Sequence, residues 1–400
     1  MNGRYRAIEM ESIVDQISFG GIVAIRDSLL KRQSEGGKVY RLESGDPSFD
    51  IPPHVRDAMI DALMKGYTHY TESTGIRPLR EAAYQKVVEE NKIPLKDPNH
   101  VLITNGAMHA LYVTFRALLI PGDEVIIPDP MWTEIADNVR LAGGIPVRCR
   151  LKPENNFVYD PSDVESLITS KTKAIFINTP HNPTGAVFPK NILEEIGEIA
   201  IKKNLYIVSD EAYEHIIYDG LKHVSIGSLP GVEDRTISIF SASKSFAMSG
   251  LRIGYIATNI DKIIERGKKL LRCTINGVNS IAQYGALAAL RGPKDYIEEM
   301  RREYQLRRDM IYDTTSKLKS LKPFKPRGAF YIWCKISEDW RDSEGKRSDW
   351  AMTNYLLKFG LGSTPGSEFG PASSEYIRFS FSCATSHLAE SLEMLKKVLE

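Results

Sequence analysis

Four hundred residues exceed what a single hydrophobic core holds, so one large unit of up to about 250 residues and a smaller one are expected. Lys and Arg number 52 against 51 Asp and Glu, a net charge of +1. That balance excludes a nucleic-acid or acidic-membrane partner recruited by the overall field and leaves a small molecule as the expected ligand. The four cysteines, Cys149, Cys273, Cys334 and Cys383, are far apart, with neither a C-x-x-C pair nor a His/Cys spacing suited to zinc, and read as buried thiols of a reducing compartment. The first residues run Met1-Asn2-Gly3-Arg4-Tyr5-Arg6 into Glu9 and Glu11 without an apolar core, and no uncharged apolar run approaches about 18 residues. A cytoplasmic protein without a membrane segment is expected.

Residues 1 to about 45 read as an arm: a charged stretch, a loop around Phe19-Gly20-Gly21, then a helix through Ile25, Leu29 and Leu30 ending at Gly36-Gly37. Arg41-Leu42-Glu43 follows as a short strand running into the turn Ser44-Gly45-Asp46-Pro47, where Gly45 leaves backbone amides open to a ligand. A helix begins at Pro52-Pro53. From about 100 to 258 a short apolar strand, a turn and a helix alternate: Val101–Thr104 into Asn105-Gly106 and a helix to Leu119, then Glu124–Ile127 and a helix from Thr133. Lys173–Ile177 leads past Pro189 to a helix with Ile192, Leu193, Ile196, Ile199 and Ala200 at helical spacing, followed by strands Leu205–Val208 and Thr236–Ile239. Continuous apolar strands alternating with helices predict an α/β fold with a mostly parallel sheet covered on both faces, in which ligands bind beyond the carboxyl ends of the strands. After about 290 the texture changes to a long charged helix from Tyr296 to about Leu321, a strand Ala329–Trp333, a helix Trp350 to Phe359, a strand Tyr376–Phe381 and a terminal helix, a smaller α+β layer. The expected division is 1–45 as the arm and part of the small domain, 46–290 as the large domain and 291–400 as the small C-terminal domain.

The stretch Phe240–Tyr255 concentrates the chemistry. Ser241 and Ser243 precede Lys244, and Arg252 follows it by eight residues, a set of donors and one permanent charge that suits a dianionic phosphate. An amine beside such a cup, with Phe240, Phe246, Leu251 and Ile253 limiting water, is what a Schiff-base lysine needs to attack an aldehyde; pyridoxal phosphate carries both groups. Two other readings attach to the same residues. A lysine in a Ser-rich loop is commonly a solvated surface charge. Ser241-Ala242-Ser243-Lys244 also matches the S-x-x-K of serine acylases, but the companion S-D-N-like and K-T-G segments are absent.

The remaining motifs are ambiguous one at a time. Asn105-Gly106-Ala107 opens a helix after a strand, where free amides can bind phosphate. Asn178-Thr179-Pro180-His181-Asn182-Pro183-Thr184-Gly185 follows a strand and could be only a proline-rich turn. Asp210-Glu211-Ala212-Tyr213-Glu214-His215 ends the next strand as a helix cap or, with two glutamates and a histidine, a metal site, although no HExxH spacing is present and no metal is expected.

In this order the four blocks N-P-T-G, D-E-x-Y, S-x-S-K-x-F-x-M-S-G-x-R-x-G-Y and the late Arg378-Phe379-Ser380 resemble the class I aminotransferases, pyridoxal-phosphate enzymes of fold type I, across nearly the whole chain. The resemblance implies that Lys244 holds the cofactor through its amine and, once released by substrate, moves a proton. It implies that Asp210 pairs with the pyridine nitrogen and keeps it protonated, so that the ring accepts electrons. Tyr213 and Asn182 would bond the ring O3′, and Trp132 would stack on the ring face and touch substrate. The phosphate would take the Gly106 and Ala107 amides, Ser241, Ser243 and Arg252, with Tyr70 arriving from the partner in a homodimer. Arg378 would grip the substrate α-carboxylate, helped by Gly45 and Asn182.

The implied activity is transfer of an amino group from an L-amino acid, aspartate or a broader set, to a 2-oxo acid such as 2-oxoglutarate by a ping-pong mechanism. One departure bears on the donor: some aspartate-favouring members carry a lysine just after the phosphate-binding turn, and Met108 stands in that slot here, while Arg272, Arg291 and Lys38 are cations that the sequence cannot place. Alternatives are an aromatic- or methionine-type aminotransferase, or a carbon-sulfur or cyclising lyase of the same fold. A third class is an effector-sensing regulator, which would add a basic DNA-binding segment that the balanced charge does not suggest.

Overall fold

The computed structural model describes residues 12–17 and 19–400; the charged stretch up to Glu11 lies outside them. Seven strands form the main sheet: β1 (Val101–Asn105), β2 (Glu124–Asp129), β3 (Ile145–Arg150), β4 (Thr172–Asn178), β5 (Tyr206–Asp210), β6 (Thr236–Ser241) and β7 (Ile253–Ala257), in the order β1-β7-β6-β5-β4-β2-β3. All neighbours pair in parallel except β7, which is antiparallel to both β1 and β6. The apolar runs behave as strands buried on both faces. In β4, Ala174 and Phe176 enter one core with Val113 and Phe115, whereas Ile175 and Ile177 enter another with Leu193 and Ile196. The helices Gly106–Leu118 and Lys190–Lys202 supply those partners from opposite faces.

A second, antiparallel sheet contains β8 (Leu321–Phe324), β9 (Tyr331–Ile336), β10 (Thr364–Pro365) and β11 (Tyr376–Ser380), in the order β10-β11-β9-β8. The arm docks on it: Tyr40 bridges Leu361, and the Ser380 amide donates to the Leu42 carbonyl at 2.6 Å. The expected strand Arg41–Glu43 is therefore only a single bridge at Tyr40 followed by extended chain, because the main-chain groups beyond Tyr40 meet the end of β11 rather than a continuous ladder.

The long helix covers Asp295–Thr315 and ends six residues before Leu321. There Thr315 turns its hydroxyl back onto the Ile311 carbonyl at 2.7 Å, and Leu321 is taken into β8. The arm helix spans Gly21–Ser34, stopping just short of the two glycines. Cys149 and Cys334 are buried and Cys383 half-buried, but Cys273 is exposed on the helix Asp261–Thr274, against the expectation of four buried thiols. No helix among the described residues is long and apolar enough to cross a membrane.

Candidate active site

Pairing register brings the motifs together. Asn178, the last residue of β4, lies beside Asp210, the last of β5, and Ser241 ends β6 next to Gly254 in β7. Asn105 ends β1 opposite Ile253, so the Gly106 turn and Arg252 meet at the same edge of the sheet. A cavity of about 430 Å³ opens there, lined by Gly45, Ala107, Met108, Trp132, Asn182, Asp210, Tyr213, Ser241, Ser243, Lys244, Arg252 and Arg378 among others. That volume is in the range of small-molecule sites.

Lys244 sits on a four-residue helical turn, Ala242–Ser245, capped by Ser241, whose hydroxyl accepts from the Ser243 amide at 3.2 Å. Its Nζ donates to the Gly45 carbonyl at 2.7 Å and faces the cavity, deep in the cleft. Burial lowers the ammonium pKa to about 8, with Arg252 and Arg378 acting in the same direction and Asp46 opposing. An amine in that range is partly deprotonated at neutral pH and can act as a nucleophile. Gly45 must be glycine: a Cβ there would lie 2.2 Å from the Tyr331 hydroxyl.

Asp210 is buried, and its carboxylate accepts the Ala212 amide at 3.2 Å. Burial pushes it up to about 7, Glu211 adds to the rise, and no cation of the described residues lies within ion-pair distance. A protonated ring nitrogen would supply the missing charge. Tyr213 shares a 2.9 Å hydrogen bond with Tyr331, and burial holds its phenol well above the usual range.

Arg378 is also buried. Its Nη1 donates to Asn182 Oδ1 at 3.0 Å, its Nη2 to the Glu43 carbonyl at 2.9 Å and to Thr364 Oγ1 at 3.1 Å, while Nε has no partner among the described residues. The guanidinium lies over the Tyr331 ring at 4.3 Å and the Trp132 ring at 5.9 Å. Burial lowers its pKa, because no carboxylate bonds it directly.

The donor set fits pyridoxal phosphate. At Gly106, φ is +79° and a Cβ would lie 2.4 Å from an Arg252 nitrogen, so only glycine lets the guanidinium close over the helix N-terminus beside the Ala107 amide. Ser241, Ser243 and Arg252 line the same cavity and would complete a cup for the phosphate, with Lys244 available to an aldehyde and Asp210 to a ring nitrogen.

Tyr70 is not brought to this cavity. It is 92 % exposed and lines a separate surface hollow with Asn276 and Gly277. Lys38 pairs with Glu390 at 2.7 Å on the surface, and Arg272 and Arg291 are exposed, so none of these cations lines the cavity, whereas Met108 does. Tyr331, Glu43 and Thr364 are site residues the sequence did not announce: a tyrosine in an aromatic strand carries no local signal, and the other two act on Arg378 from distant segments. The metal reading of the Asp210 block shifts from His215 to His223, whose Nε2 lies 2.7 Å from Glu211. Within that cluster Glu214 is bonded by the Lys86 ammonium and by Asn91, so a protein cation already occupies it.

The model of the family "Aminotransferase class I and II" matches residues 37–395. The chain is 37 % identical over 379 residues to the aspartate aminotransferase of Bacillus sp. (strain YM-2), covering 94 % of this chain and 96 % of that protein. It is equally 37 % identical to aromatic-amino-acid aminotransferase 2 of Thermococcus litoralis, over 90 % of this chain and 92 % of that protein. Among solved structures, the aspartate aminotransferase from Thermus thermophilus with maleate superposes with a TM-score of 0.91 at 34 % identity, covering 98 % of this chain and 100 % of that one.

Proposed function

The chain belongs to the class I and II aminotransferases and is a pyridoxal-phosphate-dependent transaminase; from that premise we propose that it moves the amino group of an L-amino acid, from a set that includes aspartate, to a 2-oxo acid such as 2-oxoglutarate by a ping-pong mechanism. The observation that carries the reading is a pair of cations, Lys244 and Arg378, facing one cavity with no described carboxylate within ion-pair distance of either. A buried cation without a counter-charge is costly unless a ligand supplies it: an α-carboxylate would supply the charge Arg378 lacks, and burial favours the neutral Lys244 amine, the form that attacks an aldehyde. The relatives' names include both aspartate and aromatic enzymes at equal identity, so they do not choose a donor.

When bound, pyridoxal phosphate supplies an electron sink for the pair left at Cα. The protein's part follows from its own groups. Arg378 takes the α-carboxylate in a fork and orients the amino acid against Trp132, Lys244 Nζ accepts the Cα proton and returns it, and Asp210 keeps a proton on the pyridine nitrogen. Tyr213 and Asn182 donate toward the ring oxygen. The test is to mix the holoenzyme with each of twenty amino acids and follow the cofactor absorbance; no change with any of them would defeat the proposal.

Arg378→Lys should raise KM for every amino acid alike, by the roughly 1.5 to 3 kcal/mol of a charged hydrogen bond, because a point charge replaces a fork at a group all substrates share. An effect on one donor only would place Arg378 at the side chain instead.

A homodimer in the cytoplasm, divided into 1–45, 46–290 and 291–400, completes the proposal; the four free cysteines support the compartment and the exposed Tyr70 supports the dimer. In such a C₂ dimer Tyr70 reaches the partner's phosphate cup. Tyr70→Phe should weaken cofactor binding by about 1 to 2 kcal/mol. The sharper experiment mixes inactive Tyr70→Ala with inactive Lys244→Ala. A hybrid then has one site with both lesions and one with neither, so activity should return after subunit exchange. Exchange without recovery would mean that Tyr70 serves its own chain.

A further inference from the structure

The substrate cavity does not end at Trp132. A second space of about 690 Å³ shares Ile22, Arg26, Met108, Trp132 and Arg252 with it and runs on between the arm helix Gly21–Ser34 and the helices Gly106–Leu118 and Thr133–Leu141. A side chain leaving the Cα of an amino acid held by Arg378 has this space to enter.

The charges on its walls are unequal. Three carboxylates line it. Asp137 is paired with Arg140 at 2.7 Å, and Glu368 accepts the Gly21 amide at 2.6 Å. Glu134 is different: its Oε2 is buried without a partner among the described residues. Burial pushes that carboxyl up to about 7, Asp137 and Glu368 add to the rise, and Arg378 opposes it. On the cationic side, Arg252 belongs to the phosphate cup and Arg26 remains. The Arg26 side chain is 53 % exposed and lies 3.5 Å from Asp27, so solvent and its neighbour already screen it. The apolar walls, Met108 and Ile22, contribute no hydrogen-bond donor.

We infer that this end of the cavity takes uncharged amino-acid side chains ahead of a second carboxylate, with Glu134 as the residue that sets the order and Met108 as the apolar floor. The inference rests on the transaminase reading and narrows its donor. A distal carboxylate entering here would meet a buried carboxyl without a partner and no committed cation among the described residues, so that one of the two carboxyls would have to give up its charge, whereas an aliphatic or aromatic side chain would exchange water for Met108, Ile22 and Trp132.

The experiment uses the holoenzyme and single donors, reading the cofactor absorbance change of the first half-reaction. L-phenylalanine, L-leucine and L-methionine are compared with L-aspartate and L-glutamate. The best uncharged donor should exceed aspartate in second-order rate constant by at least about tenfold, the low end of what juxtaposed like charges cost. Glu134→Gln, which keeps the shape and removes the charge, should shrink that ratio several-fold by raising aspartate rather than by lowering the uncharged donors. In the second half-reaction it should raise the rate with 2-oxoglutarate relative to uncharged 2-oxo acids by a similar factor. Calorimetry supplies a readout apart from turnover: 3-phenylpropionate should bind the wild-type holoenzyme more tightly than succinate, with the gap reduced in Glu134→Gln. Aspartate outpacing every uncharged donor, succinate binding more tightly, or Arg26→Ala depressing the dicarboxylates selectively would each overturn the inference. If no amino acid altered the absorbance, the transaminase reading would fall, and the two affinities would still decide the charge preference of the cavity.

Discussion

Lys244→Ala should abolish transamination and leave the fold as it is. The side chain makes one hydrogen bond, to the Gly45 carbonyl, and lines a cleft rather than filling the core. On the proposed role, its removal would take away the amine that attaches the cofactor and the base that moves the Cα proton, with no cavity created in a packed interior. The protein environment has already prepared that amine, since burial and the nearby Arg252 and Arg378 bring its pKa to about 8. Steady-state turnover together with a thermal melt checks both halves of the expectation. Turnover at the wild-type rate would show Lys244 to be the wrong lysine, and loss of activity accompanied by a large fall in Tm would show that its role is structural.

Asp210→Ala should lower the rate by several orders of magnitude while cofactor stays bound. On the proposed roles the anchor and the electron sink are separate parts of the site: the variant would keep the phosphate-binding set of Ser241, Ser243, Arg252 and the Gly106 turn and lose the carboxylate that would hold a proton on the ring nitrogen. In the wild type that carboxylate is itself held at about 7 by burial, without an ion-pair partner, and so gains from a positive ring nitrogen beside it. Asp210→Asn, which keeps the contact with the Ala212 amide, should be nearly as impaired, because the charge and not the hydrogen bond to Ala212 is what matters. Cofactor content after gel filtration and kcat are the two measurements. A near-normal rate in either variant would remove Asp210 from this role.

Much of the frame was legible because its determinants are local. Ala174, Ile175, Phe176 and Ile177 form a run that only a doubly covered strand can bury, and Pro, Gly and Asn mark the turns at its ends. Lys244 with its flanking serines and Arg252, Asp210 with Tyr213, and the Asn182 turn lie in contiguous segments that directly follow strands. A parallel sheet delivers such segments to a common edge. Arg41–Glu43 misread as a strand and the helix carried on to Leu321 are failures of the same local logic, since main-chain pairing with β11 and the pull of β8 outweigh intrinsic preference there.

Arg378 shows where local information stops. It bonds Asn182, 196 positions earlier in the chain, and the Glu43 carbonyl, 335 positions earlier. Those contacts exist only because Arg378 pairs with Trp333 on one side and Thr364 on the other, and a slip of one residue in either ladder would turn the guanidinium to the opposite face. The Tyr213–Tyr331 hydrogen bond, the full exposure of Tyr70 and the unpartnered Glu134 carboxyl are of the same kind. The sequence by itself carried the succession of strands and helices along the chain and, through the resemblance of its motifs, the expectation of pyridoxal-phosphate chemistry, because contiguous segments encode both. The tertiary structure alone decided which groups are buried without a partner, and hence which charges a substrate meets, because burial and pairing are set by segments that touch only after the chain has folded.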